Sequence, residues 1–345
     1  MRDYDTAKAS LDFIDISKHP DFEVLYRDAN SAEPRESIDR YKTLISAVLS
    51  ELGMEATFPT SDQMDPLIEK SLKRAIMGTI TALLDTPVIS INNTINNDPN
   101  DISTAGIKTI KFSADSNDFS RVGFGDDTAG LVLLTGGVSG INSDEYSGSL
   151  DTMTIRANNI LITVSMYNDI VQHEFGHIDH ADSARSISPA SYIFKYCLTN
   201  AIQRTNPAGF TYGVDMQASM SNEYSQFGSA TSYLNPDKDV VTISPYGSTE
   251  ATEDLAEIGG SIYTPSHNLF ILEGDTTVLH EKMSLSIAQM MEEHPELFDY
   301  YLALLRLQHI KEVASKLLNR DAAAIETVQQ VDQTLRHYGR NMGVG

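Results

Sequence analysis

The sequence has one cysteine, Cys197, which excludes an intrachain disulfide and a cysteine-rich zinc module and fits a reducing compartment. It has no run of 18 or more apolar residues, so no membrane-spanning helix is expected. Its opening, MRDYDTAKASLDFIDISKHP, lacks the apolar stretch of a secretory signal. A protein that stays in the cytoplasm, or is released without a conventional signal peptide, is expected. Basic residues are scarce: 25 Lys and Arg stand against 48 Asp and Glu, for a formal net charge of -23. Such a field repels nucleic acid and anionic membrane, favours cationic partners and keeps a chain in solution. Internal repeats and low-complexity tracts are also lacking.

What remains is 345 residues, 41% of them hydrophobic, enough for one large domain or two modest ones. Residues 1–30 show no strong periodicity and read as a loosely packed N-terminal arm. Ile38, Tyr41, Ile45, Val48, Leu49 and Leu52 recur at helical spacing, with Gly53 placed to end the helix. A second helix is predicted after Asp65, a capping residue, with Pro66 in its first turn and a stripe through Ile68, Leu72, Ile76, Ile80 and Leu83. Between 87 and 165, PVISI, IKTIKF, GLVLLTGG and NILITV alternate with Asn, Asp, Gly and Ser clusters and read as strands. SMYNDIVQHEFGHIDHA returns to a helical period, PASYIFKYCLTNAIQ is a further helix, and 206–248 reads as polar loop. From 250 onward helices dominate. The expected organisation is a subdomain over 31–180 and a helical one over 181–345, joined in one unit.

Within VQHEFGHIDHAD, His173 and His177 are four residues apart, so a helix sets both imidazoles on one face, one turn apart. Two nitrogens so placed can reach one Zn²⁺ at about 2.0–2.1 Å. Glu174 lies about 100° around the helix, outside the ligand set but able to act as general base on water that zinc activates. This is the His-Glu-x-x-His arrangement of zinc peptidases. Gly176 is costly in a helix interior, by about 1 kcal/mol, and makes sense where a neighbour must approach closely.

Catalytic zinc generally takes three protein ligands. His180 lies about 10 Å along the axis from His173, too far to share its ion. Ser183 occupies the place where a metzincin would have a third histidine. The remaining source is a carboxylate on a second helix. In SPYGSTEATEDLAEIGG, Glu253 and Glu257 are four apart, so one can bind metal while the other orients a ligand histidine. Alone, this acidic stretch would read as a solvated helix face.

HEFGH together with YGSTEATEDLAE resembles the gluzincin metallopeptidases related to anthrax lethal factor. The resemblance spans about 100 residues. It implies a zincin-like α+β fold, with a small twisted mixed sheet, the motif helix and a mostly helical C-terminal part. It further implies one Zn²⁺ held by His173, His177 and Glu253, with Glu174 as general base, Tyr246 as catalytic tyrosine and Glu257 as the second acid. The implied activity is endoproteolysis of a protein or peptide. GLVLLTGG is the candidate edge strand along which such a substrate would lie extended. There are two departures. His177 and Glu253 are 76 positions apart, longer than in thermolysin-like enzymes, so 181–245 is expected to be a lid or substrate-binding insert; and Asp254 and Leu255 stand where an aromatic pair is expected.

Other features carry less. His180 with Asp179 or Asp182 reads as a polar helix end rather than a second metal site, and DSNDFSRVGFGDD lacks EF-hand spacing. Gly123, Gly125 and Gly130 make no dinucleotide fingerprint, and Cys197 reads as core. His267, His280, His294 and His309 have no ligand-like spacing. Two rivals to the peptidase reading are a peptide deformylase and a catalytically silent module on the same fold. A deformylase needs an upstream cysteine ligand, which is lacking here; a silent module would require neither Glu174 nor Tyr246.

Overall fold

The computed structural model describes residues 9, 11–88, 90–91, 107–115, 118, 130–132, 152–185, 202–213, 227–229, 239–244, 246–263, 278–279, 281–282 and 285–286. Only the backbone is described at 131–132, 178–185, 227–229, 239–240 and 262–263. The architecture is mixed α+β, mostly helical, with a small sheet. Among the described residues no helix is long and apolar enough to cross a membrane.

Helix α1 (Phe22–Ala29) lies within the expected arm and sends Leu25 and Ala29, both fully buried, into the main core. Its apolar residues Phe22, Leu25, Tyr26 and Ala29 fall at helical spacing, a signal that the reading of residues 1–30 passed over. The next two helices follow their sequence signals closely. Helix α2 (Ile38–Glu51) buries Tyr41, Leu44, Ile45, Val48 and Leu49, and Gly53 just past its end takes φ 71°. The carboxylate of Asp28 takes the Tyr41 hydroxyl at 2.7 Å and the backbone N–H of Arg35 at 2.8 Å, fastening α1 to α2 and to the segment between them. Helix α3 (Pro66–Asp85) starts where expected because Asp65 accepts the N–H groups of Leu67 and Ile68, both at 2.8 Å. Such a cap is worth about 1 kcal/mol.

The sheet has the order β1-β2-β4-β3, formed by β1 (Glu55–Thr57), β2 (Thr109–Ser113), β3 (Gly130–Val132) and β4 (Thr152–Arg156). β1, β2 and β4 run parallel; β3 runs antiparallel to β4, with Gly130 opposite Ile155 and Val132 opposite Met153. Two expected strands are corrected. PVISI is a helical turn, in which Ile91 N–H returns to Pro87 O at 3.2 Å; the proline precedes the turn, where its missing N–H costs no hydrogen bond. NILITV is a turn: Asn159 Oδ1 takes the Leu161 N–H at 3.0 Å, and Thr163 Oγ1 takes the Met166 N–H at 3.2 Å as a helix cap. The strand lies just before it, in TMTIR, every residue of which is buried.

Helix α4 (Val164–Arg185) carries the motif and is sandwiched between two others. On one side it meets α3 at Gly78, where an added Cβ would stand 2.7 Å from Val164 O. Gln172 reinforces this contact by donating to Ala82 O and Thr86 Oγ1, both at 3.0 Å. On the other side lies α5 (Ala251–Tyr263). The stretch expected as plain loop, 206–248, also holds a parallel strand pair, β5 (Phe227–Ser229) and β6 (Asp239–Thr242), and a 3-10 turn begins at Tyr246. Leu255 of α5 packs with Ile202 and Leu285 in a small separate cluster.

Candidate metal centre

On α4 the imidazoles of His173 and His177 meet edge to face one turn apart, with ring centroids 4.7 Å apart and planes at 89°. Both face α5, whose first turn presents Glu253. One carboxylate oxygen, Glu253 Oε2, lies 3.1 Å from His173 Nε2 and 3.1 Å from His177 Nε2. The approach is possible because the helices touch through glycines. A Cβ at Gly176 would stand 2.5 Å from Ala256 O, and one at Gly260 would stand 2.9 Å from Gln172 O and 3.0 Å from His173 N. The expected role of Gly176 as a place of close approach is borne out.

These three side chains form a group that could hold a metal ion: their ligand atoms all lie within 4.8 Å of one another. The donor set is two neutral-capable imidazoles and one carboxylate, which suits zinc. The spacing fits too. Tetrahedral zinc with bonds to nitrogen and oxygen of about 2.0–2.2 Å has a ligand-to-ligand edge of about 3.4 Å, close to the two observed separations. All three side chains are 15–19% exposed, so the group is largely shielded from solvent. Burial alone would raise the carboxyl of Glu253, but hydrogen bonds from His173 and His177 hold it well below the usual carboxylate range. Burial opposes charging of His177, and Glu253 overcomes it, pushing that imidazole upward.

Glu174 is 6% exposed and lies against strand β3. The absence of a side chain at Gly130 makes its place: a Cβ there would be 2.6 Å from Glu174 Oε1. Tyr246 faces the group from the turn before α5, its ring centroid 5.6 Å from that of His173. Burial, then the charges of Glu253 and Glu174, keep its phenol protonated far above the ordinary tyrosine range; a bound cation acts in the opposite sense. Glu257, expected as the second acid, accepts the Ser244 N–H at 3.0 Å and the Ser244 hydroxyl and so holds the turn that carries Tyr246. Gly247 leaves room for that carboxylate, which is 2.5 Å from where its Cβ would be.

Sequence reasoning missed the residues behind α5. Asp254 is fully buried, takes the Tyr212 hydroxyl at 2.6 Å and pairs with Lys282 at 2.5 Å. Burial pushes the Asp254 carboxyl up and the Lys282 ammonium down, each opposed by the other's charge. A signal existed, because Asp254 shares the face of Ala251, Leu255 and Ile258 and an acid on an apolar face needs a buried partner. Within the expected insert, 202–213 is fastened to α5 by Tyr212 and to the turn before α5 by Gly213 N–H to Thr249 O at 2.8 Å. Cys197, His267, His280, His294, His309, most of DSNDFSRVGFGDD and the side chains of Asp179, His180 and Asp182 lie outside the described residues.

No family model matches the chain, no curated protein matches its sequence, and no solved structure matches its fold.

Proposed function

We propose that the chain is a zinc-dependent endopeptidase with a zincin-like fold of the gluzincin type, acting on a protein or peptide. One observation carries the reading. His173 and His177 from one helix and Glu253 from another, 76 positions on, meet at a single point, with the buried carboxylate of Glu174 and the phenol of Tyr246 beside it. A purely structural group would require neither of the last two.

His173, His177 and Glu253 would hold the metal. Zinc there supplies a Lewis acid that brings the pKa of water toward neutrality and polarises a carbonyl. Glu174 accepts the proton of the attacking water and returns it to the departing amine. The Tyr246 hydroxyl donates to the carbonyl oxygen as negative charge develops, a contact stronger in the transition state than in the bound peptide. Strand β3 has one neighbour, β4, among the described strands. An extended peptide can add to its other side as a further strand, directly beside Glu174.

The test is metal content and cleavage together. Reconstituted protein should carry about one zinc per chain by elemental analysis and cleave members of a broad peptide library. Glu174→Gln should keep the zinc and lose the cleavage. Absence of zinc after reconstitution, or activity surviving in Glu174→Gln, refutes the reading. Zinc bound without any cleavage by the unaltered protein favours a silent binding module.

A further inference from the structure

We infer that Lys282 is a positioning residue for the metal centre: by holding Asp254 it sets the rotation of the first turn of α5, and so the place of the Glu253 carboxylate. The inference rests on the zinc-site reading above. Asp254 directly follows Glu253, and the two side chains diverge by about 100°. One turns to His173 and His177; the other is fully buried and turns to Tyr212 and Lys282. There Lys282 Nζ donates to Asp254 Oδ2 at 2.5 Å and to Val241 O at 2.8 Å, with both charged side chains wholly out of solvent. Tyr212 OH adds a third bond at 2.6 Å and itself accepts from Asn206 Nδ2 at 3.0 Å. The rings of Phe210 and Tyr212 lie 5.8 and 6.0 Å from Nζ. Three separate stretches, around 206–212, 241 and 282, thus converge on the residue beside the third ligand.

Stability does not account for this arrangement. Removing two charges from water costs several kcal/mol each, and a buried pair is often replaceable by apolar side chains without loss. Among the described residues Asp254 Oδ1 finds no donor. What directional bonds supply, and apolar packing does not, is a defined angle. The glycine contacts at 176 and 260 fix how closely α4 and α5 approach; the Asp254 tether fixes how α5 is turned. A ligand carboxylate needs both.

The experiment uses the full chain and zinc itself. Zinc Kd is measured by competition with a chromophoric chelator, and Tm is measured on zinc-free protein. The variants are Lys282→Met, the double variant Asp254→Leu with Lys282→Met, and Ile45→Ala as a destabilised control in the distant core. Lys282→Met should raise zinc Kd by about 10–100-fold, as loss of a partner that orients a ligand does. The control should leave Kd within about twofold despite losing as much Tm or more. The double variant relieves the unpaired charge, so it should recover Tm while its Kd stays raised by at least about tenfold; it also serves if the single variant does not fold. The inference is overturned if Kd in Lys282→Met matches the unaltered chain, if the control raises Kd equally, or if Kd recovers together with Tm. Failure of the unaltered chain to bind zinc would instead remove the zinc-site reading itself.

Discussion

Alanine at Gly176 should separate metal affinity from stability. An ideal Cβ at 176 stands 2.5 Å from Ala256 O, 3.1 Å from its Cα and 3.2 Å from its carbonyl carbon, whereas ordinary contact begins near 3.4 Å. Those atoms belong to a helix backbone and cannot swing aside as a side chain would. Relief along the shortest contact alone requires α4 and α5 to part by about 0.9 Å. If Glu253 moves with its helix, its 3.1 Å separations from His173 and His177 open toward about 4 Å, while metal–ligand distances tolerate about 0.2 Å. Bending of the glutamate recovers part of the gap, so the expected rise in zinc Kd is about 10–100-fold, comparable to losing a group that orients a ligand. Overpacking costs about 1–3 kcal/mol, and alanine returns about 1 kcal/mol of helix propensity. The net loss in a urea melt of the zinc-free protein is therefore about 0–2 kcal/mol. Gly53→Ala is the control. Gly53 has φ 71° and nothing within 4 Å, so it should lose about 1–2 kcal/mol from strain alone and bind zinc as before. Unchanged zinc affinity in Gly176→Ala would refute the idea that this crossing sets the site.

Tyr246→Phe should lower kcat by about 10²-fold or more at unchanged zinc content, as loss of one oxyanion donor does; an unchanged rate removes the hydroxyl from the reaction. Gly130→Ala puts a methyl group 2.6 Å from Glu174 Oε1 and 2.7 Å from Ile170 Cγ2. The carboxylate is the end of a flexible chain and yields, so the fold should survive while turnover falls by about 10–100-fold. Zinc Kd should stay within about twofold, since Glu174 is outside the ligand set; full turnover in this variant would show that the base does not depend on that slot.

Legibility in the sequence followed how local each cause is. Helix α3 was readable because its cap, its proline and its stripe lie within one stretch, and Asp65 does cap it. The four-residue spacing of His173 and His177 placed both rings on one face for the same reason. Strand β4 was missed because burial on both faces, not an apolar run, makes TMTIR a strand, and its Thr152, Thr154 and Arg156 are polar. NILITV was misread because its apolar residues suggested a strand while Asn159 and Thr163 were already supplying the turn and the helix cap. Lys282 was hidden by distance, since the acid it answers to lies 28 positions earlier.

The third candidate ligand, Glu253, lies between these cases, and glycine is what makes it partly readable. No spacing rule links His177 to Glu253 across 76 positions. Yet Gly176 and Gly260 each sit inside a helix, at a cost of about 1 kcal/mol, and each helix carries a ligand. A chain that accepts that cost twice, on two ligand-bearing helices, has a reason that a solvated acidic helix lacks. The contacts give the reason: each glycine meets the backbone of the other helix, at Ala256 and at Gln172–His173. Two such contacts bring the helix axes close enough for a side chain as short as glutamate to reach both imidazoles. The motif names two candidate ligands, and the glycines in and beyond it point to the helix that presents the third.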